Sequence, residues 1–104
     1  MKRMVQYTVK ADRVDENERH IERVFDELRQ LKPPGLQYAS MRLADGVSFM
    51  HLVSYDGPDQ ENPLPQLASF KAFVAGIRER CAVAPVTTEL HPVGSYRVFD
   101  EGAR

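Results

Sequence analysis

Asp45-Gly46 lies between two extended runs, residues 36–44 and 47–55. No other feature of the chain restricts its folding as much. A two-residue hairpin turn of type I′ needs positive φ at both central positions, and Asp-Gly tolerates that. The turn therefore predicts a register. Ala44 falls opposite Val47, Arg42 opposite Phe49, Ser40 opposite His51, Tyr38 opposite Val53 and Leu36 opposite Tyr55, all on one face. Leu43 with Ser48, Met41 with Met50 and Ala39 with Leu52 form the other face.

The rest of the chain reads around this hairpin. Residues 3–10 alternate, with Val5, Tyr7 and Val9 on one side, and predict a strand. The period then changes. Asp15 and Glu18 have the spacing of a helix-start capping pair. Ile21, Val24, Phe25, Leu28 and Leu31 follow at spacings of three and four, as one apolar stripe on a helix of roughly 17 residues. Pro33-Pro34-Gly35 stops it. A second helix carries Leu64, Leu67, Phe70, Phe73, Val74, Ile77 and Cys81 on one side, with Pro85 marking its end. Gly76 inside it either weakens the helix or permits a close approach. Residues 86–99 predict a last strand, broken near Pro92-Val93-Gly94 and continued by Tyr96, Val98 and Phe99, before a polar tail from Asp100 to Arg104. With right-handed crossovers this order is α+β and ferredoxin-like: βαββαβ, a four-stranded antiparallel sheet with two helices on one face.

Size and composition bound the function. A chain of 104 residues can bury one modest core, so residues 1–104 are read as a single domain. Fourteen basic residues against fifteen acidic ones lack the cationic excess of a nucleic-acid module. No apolar run approaches the roughly 18 residues of a membrane span, and the N-terminus has no signal-peptide core. The single cysteine, Cys81, has no internal disulfide partner. A cytoplasmic protein is expected. The three histidines show no metal-ligand spacing, and there is neither a Cys-x-x-Cys pair nor a calcium-type acidic loop. No glycine-rich strand-to-helix turn is present for phosphates or a dinucleotide. The reading is therefore no metal and no cofactor.

Counting faces adds a partner. Two helices cover one face of such a sheet, yet both faces of the hairpin carry large side chains. A solvated face would be polar, and an apolar one is a liability for a monomer. A second copy over Met41, Leu43, Met50 and Leu52, as a homodimer, is the economical answer. The apolar closing segment, Val93, Tyr96, Val98 and Phe99, is expected to contribute to the same contact.

The element order, the Asp45-Gly46 hairpin, the strand ending in Tyr55 before Asp56-Gly57, and the closing Val93-Gly94-x-Tyr96-x-Val98-Phe99 run resemble the dimeric α+β barrel superfamily. Within it they are most similar to the antibiotic-biosynthesis-monooxygenase-like branch, over roughly residues 3–99. The resemblance implies two sheets packed into a barrel with helices outside, and a pocket in each subunit between its own sheet and helices. It implies that Tyr55 faces the pocket, with Val53, His51 and Phe49 by strand alternation and Ser40, Tyr38 and Arg42 by register; Tyr7 joins them from the first strand. The chain also departs from the family. Val53 stands where members often have glutamate, and the absence of tryptophan removes the pattern of haem-degrading members.

His51 is the candidate catalytic base, since an imidazole near its usual pKa transfers protons at neutral pH. The plain alternative is a core histidine bonded to Ser40 or a tyrosine. Tyr7, Tyr38, Ser40, Arg42, Phe49 and Tyr55 are the candidate substrate-binding residues. Their alternatives are core packing for the aromatics and a strand-end cation reaching water for Arg42. His20 reads as a solvated helix position, His91 as a surface or interface residue, and Cys81 as an inert thiol closing the helix stripe. Two functions remain open. One is a cofactor-independent monooxygenase acting on a small aromatic or quinol-type substrate. The other is a non-catalytic homodimer that binds a small ligand.

Overall fold

The computed structural model describes residues 1–58 and 61–98. Strand β1 (Lys2–Val9) leads through a short 3-10 turn into helix α1 (Val14–Leu31), followed by β2 (Leu36–Arg42) and β3 (Ser48–Tyr55). A 3-10 turn at Leu64–Gln66, helix α2 (Ala68–Ala75) and a single turn α3 (Ile77–Arg80) then lead into β4 (Cys81–Glu89). The sheet order is β2-β3-β1-β4, antiparallel throughout. This is the ferredoxin-like arrangement expected from the sequence.

The first helix begins differently from its expected capping pair. Arg13 occupies the cap position with no side-chain cap bond, and Asp15 and Glu16 sit in the first turn. There they complement the positive end of the helix dipole, and Arg13 Nε donates to Glu16 at 2.6 Å. At the other end Lys32 turns left-handed (φ 46) and its N–H bonds Leu28 O. Val24, at the centre of the stripe, is buried, while Leu31 at its end is 58% exposed.

The hairpin register is the one the sequence predicts, from Leu36 opposite Tyr55 to Arg42 opposite Phe49. Its turn is not. Gly46 has φ 80, but Asp45 does not reach positive φ. Instead the Asp45 carboxylate accepts from the N–H groups of Val47 and Ser48 at 3.0 and 2.8 Å and from Ser48 Oγ at 2.6 Å. Leu43 N–H bonds Ser48 O, and Gly46 N–H bonds Leu43 O. The loop is thus residues 44–47 rather than two residues. Its even length leaves the strand pairs unchanged.

The second helix and last strand depart further from expectation. The helix stops at Arg80, and Cys81 opens β4 rather than closing the helix stripe. Pro85 does not terminate a helix. It lies inside β4, where Gln6 pairs with Val86 and Thr8 with Val83, leaving Ala84 and Pro85 opposite Tyr7. This is a β-bulge, and because β4 is an edge strand the missing N–H of proline leaves no ladder bond unmade. The strand ends at Glu89 rather than running to 99. Beyond it, Val93, Tyr96 and Val98 are exposed and belong to no strand. Phe99 and the tail from Asp100 to Arg104 lie outside the described residues.

The core lies between the sheet and the helices and contains Tyr7, Val9, Val24, Phe49, Val53, Leu64, Leu67, Phe73 and Ile77. On the opposite sheet face Met41, Val83 and Val86 are 42%, 57% and 62% exposed. Among the described residues no helix is long and apolar enough to cross a membrane.

Candidate functional site

Under the helices is a cavity of about 290 Å³. The sheet forms its floor with Val5, Tyr7, Tyr38, His51 and Val53. Phe70, Phe73, Val74 and Ile77 form the opposite wall, and Leu64, Pro65, Pro85 and Thr87 close the sides. Most of this lining is apolar. Small-molecule sites have this character: apolar walls with a few convergent polar groups.

Three of the polar residues, Tyr7, His51 and Tyr38, are joined, while Arg3, Asn62 and Thr87 line the cavity apart from them. Tyr7 Oη lies 2.7 Å from His51 Nε2. Tyr38 Oη and Ser40 Oγ lie 2.8 and 2.6 Å from His51 Nδ1. Behind Tyr7, Asn17 Nδ2 donates to its hydroxyl at 2.9 Å. Arg80 Nε donates to Asn17 Oδ1 at 3.2 Å, and another guanidinium nitrogen donates to Phe73 O at 2.6 Å. Asn17, His51 and Arg80 are each at most 4% exposed. Rings pack around the chain. The planes of Tyr7 and His51 stack at 5.3 Å, those of Tyr38 and His51 at 5.8 Å, and the Arg80 guanidinium lies 5.4 Å over Phe73.

Burial sets the ionisation. Desolvation pushes His51 down from 6.5 to about 4, so its imidazole is neutral near pH 7. The sequence-based expectation of a histidine near its ordinary pKa is corrected here: an imidazole that binds a proton only near pH 4 is a weak base. Burial likewise raises Tyr7 and takes Tyr38 up to about 12, against a lowering hydrogen bond from Ser40. Both phenols therefore remain protonated donors.

The other expected site residues are dispersed. Ser40 touches His51 but does not line the cavity. Arg42 and Phe49 border a separate shallow groove with Glu18 and Ile21; Arg42 pairs with Glu18 at 2.9 Å, and Phe49 stacks on Tyr7 at 5.6 Å. Tyr55 is buried at the end of β3 with its ring against Gly57, away from the cavity wall. His20 is not the solvated residue expected: it is half-buried, its Nδ1 has no hydrogen-bond partner among the described residues, and burial lowers its pKa. His91 pairs with Glu89 on the surface. Burial raises the Cys81 thiol. Among the described residues no cluster of three His, Cys, Asp or Glu side chains could hold a metal.

Asn17 and Arg80 were missed from the sequence, although a signal existed. Asn17 lies four residues before Ile21, and Arg80 three after Ile77, each on the apolar stripe of its helix. A polar residue at a core position needs a buried partner. Gly76 is explained by the same contact, since a Cβ there would come within 3.0 Å of the guanidinium.

No family model matches the sequence, and no curated protein does. Solved structures do match. A protein named antibiotic biosynthesis monooxygenase superimposes with a TM-score of 0.70 at 15% identity, covering 89% of this chain and 98% of that one. This chain shares that protein's fold. Rv0793 from Mycobacterium tuberculosis matches with a TM-score of 0.73 at 14% identity, covering 90% and 95% of the two chains. A Caulobacter crescentus protein of the same monooxygenase description matches at 0.71 and 21% identity, covering 89% of each.

Proposed function

We propose that this chain binds a small, flat, largely apolar molecule carrying an oxygen substituent, and oxygenates it without a tightly bound cofactor. The substrate class is the hydroquinones and related activated phenols, whose rings can themselves give electrons to dioxygen. The cavity carries this reading: about 290 Å³ with apolar walls and the Tyr7–His51–Tyr38 cluster at one side. The names of the fold neighbours agree with it. In this reading Tyr38 and Tyr7 position the substrate oxygen, and His51 holds the two phenols in place rather than acting as a free base. A second reading, a non-catalytic ligand-binding protein, is favoured by one observation: both ring nitrogens of His51 are already bonded. In either case we propose a homodimer, because Met41, Val83 and Val86 are exposed on the sheet face away from the helices.

The test measures oxygen uptake and ligand binding with a panel of hydroquinones and anthrones, for the wild type and for Thr87→Trp, which places bulk at the cavity edge. Uptake by the wild type that falls in the variant supports the oxygenase. Binding without uptake establishes the ligand-binding protein. Absence of both overturns the assignment of the cavity.

A further inference from the structure

A buried arginine with no carboxylate partner is expensive in stability. Among the described residues no carboxylate forms an ion pair with Arg80, and Glu16, which is bonded to Arg13, acts on it only at longer range. The position of this cation has a consequence along the whole hydrogen-bonded chain. A guanidinium donates and cannot accept. The Asn17 atom facing Arg80 must therefore be its carbonyl oxygen, which turns the amide NH₂ toward Tyr7. The Tyr7 oxygen then accepts from Asn17, which leaves its own proton free for His51 Nε2, 2.7 Å away, and we take the bond in that direction. Since Nε2 accepts, the neutral imidazole carries its proton on Nδ1. That proton is directed at Ser40 Oγ and Tyr38 Oη. A protonated Nδ1 has no lone pair to offer, so Tyr38 Oη, 2.8 Å away, accepts on its inner side and has its O–H hydrogen left for the cavity it lines.

We propose that Arg80 and Asn17 are positioning residues that fix the direction of this chain, so that Tyr38 presents a hydrogen-bond donor to the cavity and selects ligands with an acceptor oxygen, a carbonyl or phenolate. The inference rests on the cavity being a ligand site, but the direction of the chain can be tested without any ligand.

The decisive variant is Asn17→Asp. It keeps the shape of the side chain and gives Arg80 a carboxylate partner, while offering Tyr7 an acceptor instead of a donor. Tyr7 then turns its proton toward the carboxylate, His51 must donate from Nε2, and Nδ1 draws the Tyr38 proton inward. Nitrogen-15 correlation spectra of the histidine rings, recorded at about pH 8 where a neutral imidazole is retained, report the tautomer directly. Wild type is expected to show Nδ1–H at His51 and Asn17→Asp to show Nε2–H. Nε2–H in the wild type, or an unchanged tautomer in the variant, overturns the proposal. Tyr7→Phe provides a second test should Asn17→Asp fold poorly: with the donor to Nε2 removed, the Nδ1–H preference must weaken, and an unaltered preference also counts against the chain.

Ligand selection is read with 1-indanone and indane, which differ by one carbonyl. Wild type is expected to favour indanone by about 3- to 10-fold, the factor one net hydrogen bond carries, and Asn17→Asp to lose that preference. Equal affinities in the wild type overturn the donor assignment. If neither compound binds while the tautomers behave as expected, the cavity reading fails and the direction of the chain stands.

Discussion

The two faces of the sheet are built from the same strands in alternation, yet they meet their surroundings in different ways. On the covered face the polar chain around His51 is bonded inside the subunit: His51 at both nitrogens, Tyr7 at its oxygen, and Asn17 between Arg80 and Tyr7. On the open face Met41, Val83 and Val86 are exposed beside polar neighbours such as the Thr8–Ser48 pair, and no described residue covers them. Buried polar groups are costly unless bonded, so the covered face is self-sufficient. Apolar surface carries no such local demand and can wait for an external partner. In the proposed reading one face serves a site and the other an association.

The largest effect that would break this contrast is on the covered side. Phe73 packs against Tyr7, His51, His20 and Phe70 and accepts an Arg80 hydrogen bond at its carbonyl. Phe73→Ala should cost about 3–5 kcal/mol of stability, measured by urea denaturation. A loss below about 1 kcal/mol would show that the cavity already leaves this ring loosely packed.

The next effect is on pH dependence. His51 is depressed from 6.5 to about 4 in the folded protein, so between those values the unfolded chain binds a proton that the native one does not. Stability contributed by the neutral imidazole is complete above about pH 6.5 and is lost as pH falls toward 4, with a limiting slope of about 1.4 kcal/mol per pH unit. Denaturation midpoints of the wild type and His51→Asn across this range should diverge in slope. Parallel curves would mean that His51 titrates alike in both states.

The smallest effect on the subunit itself comes from the open face. Met50→Glu should alter the fold of one chain little, yet place a carboxylate in the proposed contact between copies. Sedimentation should report a lighter species than the wild type at the same concentration. Identical masses would locate the association elsewhere or remove it.

The hairpin shows how far the sequence could be read. Its register was legible because side-chain alternation and an even loop both preserve the pairing, even though Asp45 caps the turn with its carboxylate rather than adopting positive φ. The junction of the second helix and last strand was not legible, because proline signals a break without saying of what: Pro85 interrupts a ladder, not a helix. The cluster around His51 was only half legible. Register brought Ser40 and Tyr38 to His51, but Asn17 and Arg80 join the cluster from helices through Tyr7, and no spacing within one strand reveals a pair that lies 63 residues apart.

The bulge opposite Tyr7 also bears on colony-like growth of sheets. An exposed outer strand with a regular run of N–H and C=O groups invites further chains to add on indefinitely. In β4 that run is broken at Ala84 and Pro85, where the pairing slips and one donor is missing. A strand arriving at this margin finds no continuous template, so polymerisation by strand addition is discouraged there, and the homodimer proposed above would instead use the flat of the sheet, a contact that closes after two.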